Sequence, residues 1–344
     1  MKEWGYVIMD RRDFLKTVGA GAASVVIGGC LERAGFSPAG LSGGKPNIVL
    51  FISDDHGWAD SGCYGNTVVR TPNVDRLANE GVRFTQSFAG SPTCTPSRSV
   101  IYTGLMPLRN GAHPNHSRIR EGTRTLAHYL KELGYRVVLA GKKHISPLEG
   151  FGFEYLDAAV PEDPDYKRDY RQEALDTEAV DRLLAEHTAN RRPKPLCLII
   201  ASWAPHVKWR WQRYDPDDVV VPPYMVDTPL TRRAIGRYYT DITLMDERLG
   251  ACLKSLDRYN MKDSTLFVYT ADQGAQFPHA KWTLYDPGIH TPFIARWPGK
   301  VKRGKVCDAM ISFADITPTF VDAAGGRPIP TSTAGAFCRF LWAK

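Results

Sequence analysis

Four stretches of the chain, residues 47–52, 136–140, 195–202 and 265–270, are apolar at nearly every position. Runs of this length without polar alternation fit strands buried on both faces, the pattern of a parallel sheet covered by helices. Each run releases polar residues within a few positions of its C-terminal end. Asp54, Asp55 and His56 follow the first, Gly141-Lys142-Lys143-His144 the second, Pro205-His206 the third and Asp272-Gln273-Gly274 the fourth. Ligands of open α/β sheets bind at the carboxyl ends of strands. Four strands of one sheet would therefore gather these residues on one rim. One such junction is equally well a solvated turn; four together are hard to read that way.

The helical pattern separates these runs. Residues 71–81 read as a helix with Thr71 as N-cap, Pro72 in the first position and Gly81 closing it. Residues 125–133 read as a second, closed by Gly134, and 315–324 as a short late one. Residues 231–259 carry apolar positions at Ile235, Tyr238, Tyr239, Ile242, Met245, Leu249, Leu253 and Leu256, the stripe of a helix lying on a sheet. Residues 151–190 are charged and weakly patterned, as in a surface excursion. Trp203, Trp209 and Trp211 cluster near His206, where they suit either an aromatic core or a sugar-stacking surface.

Composition narrows the class. A chain of 344 residues holds one large α/β domain, or one plus a small appendage. The net charge of +7 suits a polyanion, either nucleic acid or a sulfated glycan, and no nucleic-acid motif is present. The seven cysteines are scattered, with no C-x-x-C pair. Arg11-Arg12 followed by a small, apolar run to Gly29 reads as a twin-arginine export signal over residues 1–30. Ile27-Gly28-Gly29-Cys30 resembles a lipobox, so the exported protein is expected in the periplasm, free or lipid-anchored at Cys30. Residues 31–45 read as a linker, 46–330 as a catalytic domain and 331–344 as an atypical tail.

The segment 92–99 carries the sharpest local signal. Pro96 lies two residues past Cys94 and an apolar segment follows, so Cys94 falls at the start of a helix with Arg98 one turn on. That position predicts a thiol with a depressed pKa. The alternative is a buried small hydrophobe, and spacing alone does not separate the two. Asp54, Asp55 and Asp272 with the amide of Gln273 form a hard-oxygen donor set, expected to take Ca²⁺, or Mg²⁺ in its place. Lys142, Lys281, Arg98, His144 and His206 would surround it with charge suited to a sulfate or phosphate.

C-T-P-S-R at 94–98, with Thr103-Gly104 behind it, resembles the signature of the type I sulfatases. The resemblance extends over residues 47–325 through the Asp-Asp after the first strand, G-K-K-H, P-H, and D-Q-G followed by Lys281. It implies an alkaline-phosphatase-like α/β fold, with a mostly parallel central sheet and helices on both faces. It also implies that a maturation enzyme oxidises Cys94 to formylglycine, whose hydrate attacks sulfur and then collapses to release sulfate. By the same resemblance, Asp54, Asp55, Asp272, Gln273 and the residue from Cys94 bind the metal. Arg98 and Lys142 steady the hydrate, while Lys281, His206 and Lys142 hold the sulfate. His144 assists breakdown of the intermediate, and one of the histidines protonates the leaving group. Gln273 stands where asparagine is usual in the family, keeping the amide oxygen on a chain one methylene longer.

Within the family the chain looks most like the heparan N-sulfatases. The residues are G-K-K-H, Tyr214-Asp215-Pro216, Val219-Val220-Val221-Pro222, Asp227-Thr228-Pro229, Phe277-Pro278, Leu284-Tyr285 and Pro287-Gly288. That implies an N-sulfoglucosamine substrate. The competing readings are an O-sulfatase on another sulfated glycan or aryl sulfate, a phosphate or phosphonate ester hydrolase, and an inactive sulfoglycan-binding protein. Family members continue into a smaller C-terminal subdomain, so the tail at 331–344 reads as a truncation or frameshift.

Overall fold

The computed structural model describes residues 44–156, 175–209, 211–327 and 329. The export signal, most of the linker and the atypical tail lie outside the described residues.

Eight strands form one sheet: β1 (Asn47–Ser53), β2 (Val82–Phe88), β3 (Arg136–Gly141), β4 (Glu154–Leu156), β5 (Leu196–Ala201), β6 (Thr265–Ala271), β7 (Phe293–Arg296) and β8 (Lys305–Ser312). Their order is β4-β3-β5-β1-β6-β7-β2-β8. The four apolar runs are β3, β5, β1 and β6, adjacent and mutually parallel, with Leu50 paired to Ile199 on one side and Val268 on the other. Only β7 runs antiparallel to its neighbours among the described strands.

Helices cover both faces. They are α1 (Pro72–Glu80), α2 (Cys94–Thr103), α3 (Leu126–Glu132), α4 (Thr177–Ala189), α5 (Pro229–Arg258) and α6 (Ile316–Ala323). Alternation along β1 sorts them: Ile48, Leu50 and Ile52 pack with residues of α2, α3 and α6, while Val49 and Phe51 pack with α1, α4 and α5. In α5, Ile235, Ile242, Met245, Leu249, Leu253 and Leu256 are buried, each contributing roughly 1.5–3 kcal/mol of hydrophobic stabilisation.

Local chemistry differs from expectation in three places. Thr71 does not cap α1 with its side chain; its hydroxyl accepts from Gly62 N at 2.9 Å and donates to Asp75 at 3.2 Å. Gly81 is not left-handed (φ −138°). A Cβ there would collide with the Ala295 carbonyl on β7, so glycine serves the close approach of helix end to sheet. Residues 151–190 contain β4 and α4, whose buried face (Val180, Leu183, Leu184, His187) is masked in the sequence by the charges of Glu178, Asp181, Arg182 and Glu186. Asp176 caps α4 by accepting from Ala179 N at 2.8 Å. No helix among the described residues is long and apolar enough to cross a membrane.

Candidate active site

The four parallel strands end on one rim, and the polar residues they release converge there. Asp54 and Asp55 leave β1 fully buried, Asp55 in the left-handed region at φ 66°. Asp272 and Gln273 leave β6, also fully buried. Oxygens of Asp54, Asp55 and Asp272 lie within 4.8 Å of one another. Gly141 closes β3 at φ 85°, where the Ala201 carbonyl leaves no room for a Cβ. The next residue, Lys142, donates its backbone N–H to that carbonyl (2.8 Å) and its ammonium to Asp54 Oδ2.

Helix α2 brings the remaining parts. Cys94 is its first residue, after Thr93 in extended conformation, and its Sγ lies 3.6 Å from Asp54 Oδ1. One turn on, Arg98 is fully buried; its Nε donates to Asp272 Oδ2 at 3.0 Å, and its Nη2 forms an ion pair with the same oxygen at 2.9 Å. Ser97 Oγ donates to the Asp272 carbonyl at 2.5 Å, fixing the helix to the end of β6. Lys281 donates to Asp55 at 2.7 Å. The amide of Gln273 donates to Asp55 Oδ1 (2.6 Å) and to Cys94 Sγ (3.1 Å). Its carbonyl oxygen Oε1 is buried with no hydrogen-bond partner among the described residues.

The charges do not balance evenly. Burial raises the Asp54 pKa, but Lys142 and Arg98 outweigh it and hold this carboxyl well below the usual range. Burial and the Asp54 charge push Asp55 up to about 6 against the pull of Lys281, and the same two causes push Asp272 up to about 7 against Arg98. Burial opposes the Lys281 charge, yet Asp55 holds its ammonium above the ordinary lysine value. The Cys94 thiol corrects the sequence-based expectation. Burial first, and then Asp54 with smaller contributions from Asp272 and Asp55, push it up to about 12 against the pull of Lys142.

The histidines occupy the mouth. His206 donates Nδ1–H to the Val207 carbonyl (2.5 Å), which leaves Nε2, 3.8 Å from Asp55 Oδ2, free to take and give a proton. His144 bonds through Nε2 to His116 Nδ1 at 3.0 Å. Of the tryptophans, Trp203 lies under the Lys142 ammonium at 4.6 Å, Trp209 packs on Tyr238 and Phe277, and Trp211 is exposed. Sequence reasoning passed over a supporting set. His56 accepts from the Tyr269 hydroxyl at 2.6 Å, and the Tyr238 hydroxyl accepts from Gly57 N at 2.9 Å, bracing the Asp54-Asp55 loop from β6 and α5. Asn115 and His116, beside Thr95, were passed over as well; nothing in their spacing marks them.

The donors fit a hard cation. Three carboxylate oxygens already cluster, and the unpartnered Gln273 oxygen is an acceptor that only a cation or a donor can satisfy. Sulfur is the one soft atom present. Asp54, Cys94 and His206 form a second set within 4.8 Å.

Comparison with known proteins agrees with this arrangement. The Sulfatase family profile matches residues 46–326. An Ulvan-active sulfatase of Formosa agariphila is 37% identical over 87% of this chain and 58% of its own length. Human N-sulphoglucosamine sulphohydrolase is 29% identical over 82% of this chain and 62% of its own. The chain thus spans about three-fifths of the length of these relatives. The phosphonate monoester hydrolase of Agrobacterium radiobacter superposes with a TM-score of 0.74 at 20% identity, over 86% of this chain and 77% of the other, which shows the shared alkaline-phosphatase-like fold. By the profile, which matches most of its length, the chain belongs to the type I sulfatase family.

Proposed function

We propose that the protein removes sulfate from a sulfated carbohydrate, with Cys94 converted by a maturation enzyme to formylglycine. The observation that carries this reading is the convergence on Cys94 of three carboxylates, an unpartnered amide oxygen and the cations Arg98, Lys142 and Lys281. Conversion supplies an aldehyde hydrate, a nucleophile able to release the sulfate it has captured. It also replaces the one soft donor by oxygen. Asp54, Asp55, Asp272 and Gln273 would then hold Ca²⁺, or Mg²⁺, together with residue 94. Bound there, the cation lowers the pKa of the attacking hydroxyl and offsets sulfate charge.

The protein's own groups do the rest. Lys142 and Arg98 keep Asp54 ionised and sit where negative charge develops. Lys281, Lys142 and His206 hold the sulfate. His206, its ring oriented by the Val207 carbonyl, presents Nε2 to the leaving group and protonates it from the imidazolium form. His144 attends the breakdown step. Export through the signal at 1–30 would place the enzyme in the periplasm, free or anchored at Cys30.

For the substrate, the motifs from G-K-K-H to Pro287-Gly288 and the 29% identity to N-sulphoglucosamine sulphohydrolase favour an N-sulfated glucosamine of a heparan-like glycan. The 37% identity to an Ulvan-active sulfatase favours a substrate related to ulvan instead. The test is sulfate release from N-sulfoglucosamine and from an O-sulfated oligosaccharide, and alcohol release from a phosphonate monoester, each with wild type and Cys94→Ala. Mass spectrometry of the Cys94 peptide should show a loss of about 18 Da, the difference between thiol and aldehyde. Converted protein that releases no sulfate from either sulfated substrate would overturn the proposal.

A further inference from the structure

His144 has a ring whose proton position can be worked out from its neighbours. The starting point is a backbone amide, which can only donate. Thr95 N–H donates to Asn115 Oδ1 at 3.2 Å. That contact fixes the orientation of the Asn115 side chain, so its Nδ2 faces the other way as a donor. Nδ2 lies 3.4 Å from His116 Nε2, which therefore accepts. A neutral imidazole that accepts at Nε2 carries its proton at Nδ1. His116 Nδ1 is 3.0 Å from His144 Nε2 and donates to it. His144 in turn accepts at Nε2 and must carry its own proton at Nδ1. His116 is tied to the same helix start, since its N–H donates to Thr95 Oγ1 at 3.2 Å.

The end of this chain is unsatisfied. His144 Nδ1 is buried and has no hydrogen-bond partner among the described residues. A buried donor left unpaired is costly, and a bound oxyanion would satisfy it. His144 is also kept neutral, as the argument needs: burial, Lys142 and Arg98 push its pKa down to about 3.

We propose that Asn115 and His116 are positioning residues that fix the tautomer of His144, so that His144 meets the substrate's oxygens as an Nδ1–H donor. This rests on the sulfatase reading for what the donor meets, but not for the tautomer itself. It narrows the part of His144 at the start of the reaction: in the resting enzyme its Nδ1 carries a proton, so it meets the arriving substrate as a hydrogen-bond donor.

The test reads the proton directly. In ¹⁵N-histidine-labelled full-length protein, long-range ¹H–¹⁵N correlation distinguishes the two tautomers, and His144→Gln identifies the His144 signals. Wild type is expected to show His144 protonated at Nδ1. His116→Asn, whose amide can donate from nearly the place of the imidazole Nδ1, should keep that tautomer; His116→Ala should move it toward Nε2–H. On sulfated substrate, His116→Ala should lose roughly tenfold or more in kcat/KM, with His116→Asn recovering most of it. A wild-type His144 protonated at Nε2 overturns the relay, whether or not the enzyme is active. A protein with the Nδ1–H tautomer but no sulfate release sinks the sulfatase reading and leaves the relay standing.

Discussion

Arg98 has no exposed surface, and it answers one carboxylate, Asp272, with two of its nitrogens. Removing one partner of a buried ion pair costs about 3–5 kcal/mol, mostly because the other is left charged. Arg98→Met should therefore lower stability by about that amount at pH 8, read from urea unfolding of metal-free protein. Asp272 already titrates near 7. At pH 5 it can take a proton and shed the stranded charge, so the loss should be clearly smaller there. An equal loss at both values would mean that Arg98 stabilises by packing alone. The thiol makes the same point in reverse. Its place at a helix start was legible in the sequence, but its pKa was not, because burial sets it first and the carboxylates that add to it come from residues 54, 55 and 272.

At the scale of elements, the end of β3 is the most exacting. Gly141 sits at φ 85° against the Ala201 carbonyl, and the following residue must deliver its ammonium to Asp54. Gly141→Ala should cost roughly 1–3 kcal/mol in backbone strain and, by shifting Lys142, lower kcat more than it raises KM. Unfolding and steady-state kinetics on one preparation check both. The central strands and their rim were legible because a strand buried on both faces is apolar throughout and its end is abruptly polar. The outer strands were not. β2 reads Val-Arg-Phe-Thr-Gln-Ser-Phe and β8 Lys-Val-Cys-Asp-Ala-Met-Ile-Ser, half-exposed sequences without the continuous apolar run of the central strands. β7 has only four residues. The pairing of Asn115, His116 and His144 was equally invisible, since only tertiary packing brings the start of α2 beside the end of β3.

Taken whole, the molecule concentrates its unfavourable electrostatics in one place. Asp55 and Asp272 titrate near 6 and 7, above the roughly 3.9 of an unfolded aspartate. The metal-free fold thus binds protons that the unfolded chain gives up, and its stability falls as pH rises through 4 to 7. Asp54 works in the other direction: its contribution is complete above the ordinary carboxylate pKa and is lost only on acidification below it. A divalent cation at the cluster relieves the repulsion where the carboxylates are ionised. Calcium should therefore raise the unfolding temperature more at pH 8 than at pH 5, and EDTA should reverse the gain. No shift at pH 8 would remove these carboxylates as the cation site. The burial of Cys94, only 1% exposed, bears on timing as much as on chemistry. Once α2 has closed onto the end of β6, no second enzyme can grip the segment around that sulfur. Under the proposed conversion, modification and folding compete for the same residue, and the order in which they happen is final. A chain that folds first is locked with a thiol at its centre, so the yield of active protein would be set during synthesis, by how long residues 92–99 stay open.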